Sequence, residues 1–215
     1  MTDTEGTSPR ERYRAQVHAE IKHRAWEQLA TTGVSALSLN AIAKRMGMSG
    51  PALYRYFASR DELLTELIRD AYRSLADRVR AAFDAGADVA ALARTIRDWA
   101  LEDPHRYFLV YGTPVPGYHA PDETTKISSE IMAVLIDAHA ALSPQRAATP
   151  FDTHLENHRG WTDGHPAPPA ALHRALSFWT RLHGVLSLEL AGHFSGMDFD
   201  PALLFDEEVN DLLAR

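Results

Sequence analysis

The chain has 215 residues, 45% of them hydrophobic, which suits one large domain or a small domain joined to a larger one, with a sizeable core. It has no cysteine, so disulfides and thiolate metal sites are excluded. The net charge of −7 argues against a chain coated in nucleic acid, but residues 1–60 carry nine Lys/Arg against five Asp/Glu (+4), leaving 13 against 24 (−11) elsewhere; a basic module on an acidic body points to a polyanion-binding head, the alternative being chance variation along the chain.

The opening MTDTEGTSPRER is polar and lacks the apolar stretch of a signal peptide. No apolar run approaches the roughly 18 residues needed to span a bilayer. A cytoplasmic protein with no membrane partner is expected.

Periodic segments rich in Ala, Leu, Arg and Glu, without strand-length alternation, predict an all-α fold. Ser8-Pro9-Arg10-Glu11 is a capping box with Pro at the first helical position. It opens a helix with Val17, Ile21, Ala25 and Leu29 on its buried face, Trp26 beside them and Gly33 as its stop. Ser38 caps a short helix, Leu39 to Met46, which Gly47 breaks. Ser49 caps a third, Pro51 to Phe57. Ser59-Arg60-Asp61-Glu62 forms another capping box and starts a long helix to about Phe83, with Leu64, Leu67, Ile68, Ala71, Leu75 and Val79 at helical spacing.

After Gly86, helices are predicted from Asp88 to Asp103 and from Pro104 to Tyr111. The Gly/Pro-rich GTPVPGYHAP is a loop. Asp122 to Leu142 is again helical. Residues 143–170, with Ser143, Pro144, Pro150, Gly160, Gly164, Pro166, Pro168 and Pro169, read as a long irregular connection. Helices from Ala170 to Ser195 and from Asp198 to Ala214 close the chain.

Two short helices around Met46-Gly47-Met48-Ser49 match a helix-turn-helix, whose second helix enters the major groove N-terminus first. Ser49 and Gly50 present backbone N–H groups to a phosphate. Pro51 offers an apolar surface to a thymine methyl, and Arg55 a fork for phosphate or guanine. Tyr54 and Tyr56 reach phosphate oxygens, while Leu53 and Phe57 face the core. The alternative is a helical corner whose tyrosines pack internally.

The run SLNAIAKRMGMSGPALYRYFASRDELL, residues 38–64, resembles the DNA-binding signature of the TetR family of transcriptional regulators. The resemblance implies an all-helical fold of about nine helices. Three would form a DNA-binding domain, 9–58, and the rest an effector-binding and dimerisation domain, 59–215. By position, Ser38, Tyr54, Tyr56 and Arg60 would hold phosphates, and Asn40, Gly50, Pro51, Ala52 and Arg55 would lie nearest the bases. The arm Arg10, Arg12 and Arg14 either adds backbone or minor-groove contacts or is a solvated first turn.

In the segment 170–195, Leu172, Leu176, Trp179, His183, Leu186 and Leu190 form an apolar stripe long enough for a helix seam. Thr180, Gly184, Ser187, Ala191 and Ser195 form a second stripe of small residues that lets another helix approach. With Phe205, Val209 and Leu212 of the last helix they are the expected dimer interface. Trp179-x-x-x-His183-Gly184 resembles the TetR C-terminal subclass named for Trp, His and Gly, which implies pairing of the last two helices across a two-fold axis.

Trp99, His105, Tyr107, Phe108, Tyr111, Phe178, Leu182 and His183 are candidate lining residues for an apolar or aromatic effector; plain core is the competing reading of each. His154 and His158, spaced i, i+4, suit two metal ligands on one helix face, but no third ligand is marked. HExxH, G-x-S-x-G and Gly-rich phosphate loops are absent, so no cofactor and no enzymatic activity are expected. The expected function is a dimeric one-component repressor of palindromic operator DNA, released by a small molecule. The alternatives are an activator or co-repressor-type regulator of the same fold, or a helical small-molecule enzyme or binding protein.

Overall fold

The computed structural model of the protein describes residues 8–142 and 147–214. Ser143 and Pro144, named above in the connection, lie outside the described residues. Among the described residues there are ten α-helices and no strand: α1 (Pro9–Thr32), α2 (Leu39–Arg45), α3 (Gly50–Leu53), α4 (Arg60–Asp84), α5 (Val89–Glu102), α6 (Pro104–Tyr111), α7 (Asp122–Ala140), α8 (Pro150–Asn157), α9 (Pro169–Leu190) and α10 (Pro201–Leu213). None of the described helices is long and apolar enough to cross a membrane.

The chain divides into two compact units. The first runs to Ile68 and includes Thr113–His119; the second comprises Arg69–Gly112 and the chain from Ala120 onward. The division falls inside α4, whereas the boundary expected at 58/59 assigns that helix entirely to the second domain.

In the first unit the local signals act as read. The Ser8 hydroxyl accepts from the Glu11 N–H and the Glu11 carboxylate accepts from the Ser8 N–H, closing the box on α1. Gly33 ends α1 at φ 77°, a conformation glycine adopts without steric cost. Ile21, Ala25 and Leu29 are buried; Val17 and Trp26 are only half-buried. At α4 the box is modified: Ser59 Oγ accepts from the Glu62 N–H, but the Glu62 carboxylate accepts from the Ala58 N–H. The third helix is shorter than expected. It ends at Leu53, and the Tyr56 N–H donates to the Leu53 carbonyl at 2.8 Å, tightening the chain into turns. Those turns drive Phe57 into the core, 1% exposed. Within this unit the Tyr118 hydroxyl lies 3.1 Å from Thr65 Oγ1, fixing the segment after α6 against the start of α4.

In the second unit α9 is central: α5, α7, α8 and α10 all pack on it. It stops at Leu190, so Ser195, expected on its small-residue stripe, lies in the turns that follow. Residues 147–170 of the connection are more ordered than their proline content suggests. Thr149 and Asp152 form a capping box with Pro150 at the first turn, and this nucleates α8. A single 3₁₀ turn follows at Gly160–Thr162. Asp152 is 3% exposed and also accepts from His173 Nδ1 at 2.9 Å, which joins α8 to α9. Arg174 donates to the carbonyls of His139 and Leu142, supplying donors to the last turn of α7.

Candidate nucleic-acid interface and ligand site

Ser38 and Ser49 occupy the N-caps of α2 and α3, accepting from the Ala41 and Ala52 N–H groups. The turn between the helices is closed by the Met48 N–H donating to the Ala43 carbonyl at 2.9 Å, with Gly47 at φ 65°. Gly50 sits close to α2: a Cβ there would lie 3.4 Å from Asn40 Oδ1. Leu39, Ile42, Ala43, Leu53 and Phe57 are buried beneath. Above them Asn40, Ser49, Pro51, Tyr54 and Arg55 are exposed, with Gly50, Ala52 and Tyr56 half-buried. Of the residues proposed from the sequence as nearest to bases, Asn40, Pro51 and Arg55 are thus exposed and Gly50 and Ala52 are not fully so. Lys44 and Arg55 form no ion pair among the described residues.

Two expected phosphate ligands have other engagements. Arg60 donates to the Val34 carbonyl at 2.8 Å and pairs with Asp61 at 3.2 Å, so its guanidinium ties α4 to the turn before α2. Tyr56 carries the Arg14 guanidinium 5.8 Å from its ring centroid, so that arm residue packs on the head. Gln28 of α1, not singled out from the sequence, accepts from the Ser38 N–H at 2.8 Å and fixes the start of α2. A half-buried helical glutamine gives no sequence signal of that role.

The candidate ligand residues separate into groups. Tyr107, Tyr111 and His183 meet in one ring cluster, joined by Trp179 and Tyr72. Tyr111 lies tilted 4.3 Å from His183 and edge-on to Trp179 at 5.5 Å and to Tyr72 at 5.9 Å. Trp179 lies 4.0 Å from His183. The Tyr107 hydroxyl is 3.0 Å from His183 Nδ1. Burial pushes the Tyr107 hydroxyl up to about 12 and Tyr111 well above its ordinary value, and drives His183 down to about 4. All three are uncharged near neutral pH.

The other candidates are elsewhere. Trp99 is fully buried, with its indole N–H donating to Ser74 and the Arg106 guanidinium 4.6 Å over its ring, which makes it core. Phe178 packs edge-on against His139, and Leu182 is buried beside Phe205 and Val209. Phe108 is half-buried and edge-on to Tyr107. His105 is exposed, on the outer face of α6. A cavity of about 350 Å³ is lined by His139, Thr149, His173, Arg174, Thr180 and Arg181, among others, and by none of the ring-cluster residues. His154 and His158 stack at 4.0 Å, and no group of three metal-binding side chains occurs among the described residues.

On the expected interface, Thr180, Gly184 and Ala191 are exposed and Ser187 half-buried. Phe205 and Val209, expected there too, are 1% and 5% exposed and pack inside the chain against α9. The α10 period places them inward; Leu203 and Leu213 are the apolar residues it turns outward, at 68% and 38% exposure, and Leu212 is half-buried.

Residues 21–67 match the family described as bacterial regulatory proteins, tetR family, and residues 89–212 match the tetracyclin repressor-like C-terminal domain. The chain is similar to the HTH-type transcriptional regulator Rv1816 of Mycobacterium tuberculosis, 39% identical over 94% of this chain and 92% of that one. It resembles the crystal structure of regulatory protein SCO4313, with 68% identity and a TM-score of 0.91 over 97% of this chain and all of the other (100%). The fold alone is shared with the fatty acid degradation regulator FadR of Bacillus halodurans, TM-score 0.59 at 13% identity, over 91% of this chain and 97% of that one.

Proposed function

The chain belongs to the TetR family and is a transcriptional regulator, not an enzyme, and from that premise we propose that it is a repressor that binds palindromic operator DNA as a homodimer and is released by a small-molecule effector. Residues 9–58 read the DNA; residues 59–215 bind the effector and pair the subunits. The observation that carries the reading is the exposed surface of Asn40, Pro51, Tyr54 and Arg55 around a serine-capped α3, on the basic segment of an otherwise acidic chain.

Ser38, Ser49, Tyr54 and Tyr56 contact phosphates; Asn40, Gly50, Pro51, Ala52 and Arg55 contact bases. Subunits pair through the exposed face of α9 at Thr180, Gly184, Ser187 and Ala191, as in the subclass defined by Trp, His and Gly, with Leu203 and Leu213 of α10 alongside. Effector binding shifts the spacing of the two heads. A roughly 10⁴-fold preference for the released form, about 5.5 kcal/mol, reverses a 1:99 equilibrium.

Selection of genomic fragments bound by the purified protein tests this. The expected product is a palindrome with half-sites about one turn, roughly 34–36 Å, or a multiple of it apart. Its affinity should fall steeply with salt as neutralised phosphates release counterions. No enrichment at any salt concentration overturns the reading.

A further inference from the structure

We propose that the cluster of Tyr72, Tyr107, Tyr111, Trp179 and His183 accepts an uncharged aromatic molecule bearing a carbonyl or hydroxyl oxygen, and that Tyr111 and His183 hold that oxygen. The inference rests on the effector-controlled reading above and supplies the chemical class of the effector.

The Tyr111 hydroxyl and His183 Nε2 are both buried, and neither has a hydrogen-bond partner among the described residues. Their rings are 4.3 Å apart. Buried polar groups are normally satisfied, and unsatisfied ones mark strain, function or a missing partner. Two such groups on adjacent rings point to a shared partner. The neighbouring polar groups are already engaged: Tyr107 with His183 Nδ1, and Tyr72 with the Ser128 side chain.

The class of ligand follows from charge and shape. The tyrosines stay protonated and the imidazole stays neutral, so the pair provides a hydroxyl donor and a ring nitrogen, with no charge to neutralise an ion. A carboxylate brought here would lose its hydration against neutral partners, which is costly. A carbonyl accepts from both groups when Nε2 carries the proton. A hydroxyl accepts from Tyr111 and donates to Nε2 when it does not. The remaining surfaces are ring faces and edges, set edge-on at Tyr111–Trp179 (77°) and Tyr72–Tyr111 (83°), which suits a planar ring. The cluster joins α4, α6 and α9, so a ring entering it parts three helices and favours a state distinct from the closed one.

The test titrates the full-length protein with acetophenone, ethylbenzene and benzoate, by calorimetry and tryptophan fluorescence. A genomic fragment selected as above is present in parallel samples. Acetophenone is expected to bind roughly tenfold tighter than ethylbenzene, the value of about one well-made hydrogen bond, and benzoate is expected to bind more weakly than acetophenone. Tyr111→Phe removes only an unpartnered hydroxyl, so the fold persists. It should cost acetophenone roughly tenfold and leave ethylbenzene unchanged. His183→Gln is a second variant expected to weaken acetophenone selectively. Equal binding of ethylbenzene, tighter binding of benzoate, wild-type affinity in both variants, or no binding of any probe overturns the proposal. The two readings fail separately. DNA bound without ketone binding removes the ligand site and keeps the regulator. Ketone binding without DNA binding removes the regulator reading and keeps the site.

Discussion

The Arg60 guanidinium donates to the Val34 carbonyl at 2.8 Å, linking the first turn of α4 to the short 3₁₀ turn ahead of α2. This contact gives the arginine expected to hold a phosphate a second role, positioning the reading helices. Arg60→Ala should lower stability by about 1 kcal/mol, the value of a part-exposed charged hydrogen bond, measured by urea unfolding. Its loss of DNA affinity should be accompanied by that loss of stability. Arg60→Lys should recover little, because an ammonium cannot bond Val34 and Asp61 with one planar fork. Wild-type stability in Arg60→Ala would leave the residue the phosphate role alone.

Arg55 and Lys44 test the division of labour on the exposed face. Lys44 is exposed at the last turn of α2 and Arg55 just beyond α3. Lys44→Ala should weaken binding evenly across sequences and reduce the salt slope by about 1. Arg55→Ala should cost about 1–3 kcal/mol on the preferred operator and relax specificity at one position. A uniform loss in Arg55→Ala across all sequences would make it another phosphate contact.

The head was legible because its signals are local. A capping serine, a glycine at positive φ and apolar residues one turn apart act within a few residues, and they place α1, α2 and the turn as read. What escaped depends on distant partners. Nothing around Arg60 in the chain marks Val34 as its acceptor, and Gln28 gives no hint of Ser38. The helical pattern runs on past the end of α3 because Tyr54–Tyr56 continue it, while Phe57 is pulled into the core by the turn. α8 was written in the sequence as Thr149-Pro150-Phe151-Asp152, a cap obscured by the surrounding prolines. In the ligand region, the aromatic residues themselves were legible. Which of them touch was not, since Tyr107 and His183 are 76 positions apart and Trp99 satisfies its N–H on Ser74.

Acid should destabilise the second unit through its buried histidines. His139 is 3% exposed, its Nδ1–H donates to the Leu135 carbonyl, and burial drives it from 6.5 down to about 4; His183 is lowered to the same region. Each is neutral when folded, while the unfolded chain takes up a proton near pH 6.5. Stability is therefore full above pH 6.5 and lost progressively as pH falls from 6.5 to about 4. The loss is at most on the order of 3 kcal/mol per histidine. Urea midpoints at about pH 7.5 and pH 5 should differ in this direction. His139→Leu should remove a sizeable part of the difference. An unchanged pH profile in that variant would place the acid sensitivity elsewhere.

Gly184 offers the sharpest test of how subunits pair. It is exposed on α9 between Thr180 and Ser187, and a Cβ built on it meets nothing within 4 Å. Within one chain a larger residue there is harmless. Replacing a mid-helix glycine should even gain about 0.5–1 kcal/mol of helix stability. Across a two-fold seam the same side chain would hold two α9 helices apart. Gly184→Arg should keep the circular dichroism spectrum and melting temperature of a folded chain and sediment as a monomer at micromolar concentration. Its DNA affinity should collapse to that of a single head. Leu203→Asp, at the exposed apolar position of α10, should act the same way more weakly. A dimer unaffected by Gly184→Arg would move the interface off this face of α9, and the half-site spacing would then have to come from another pairing of chains.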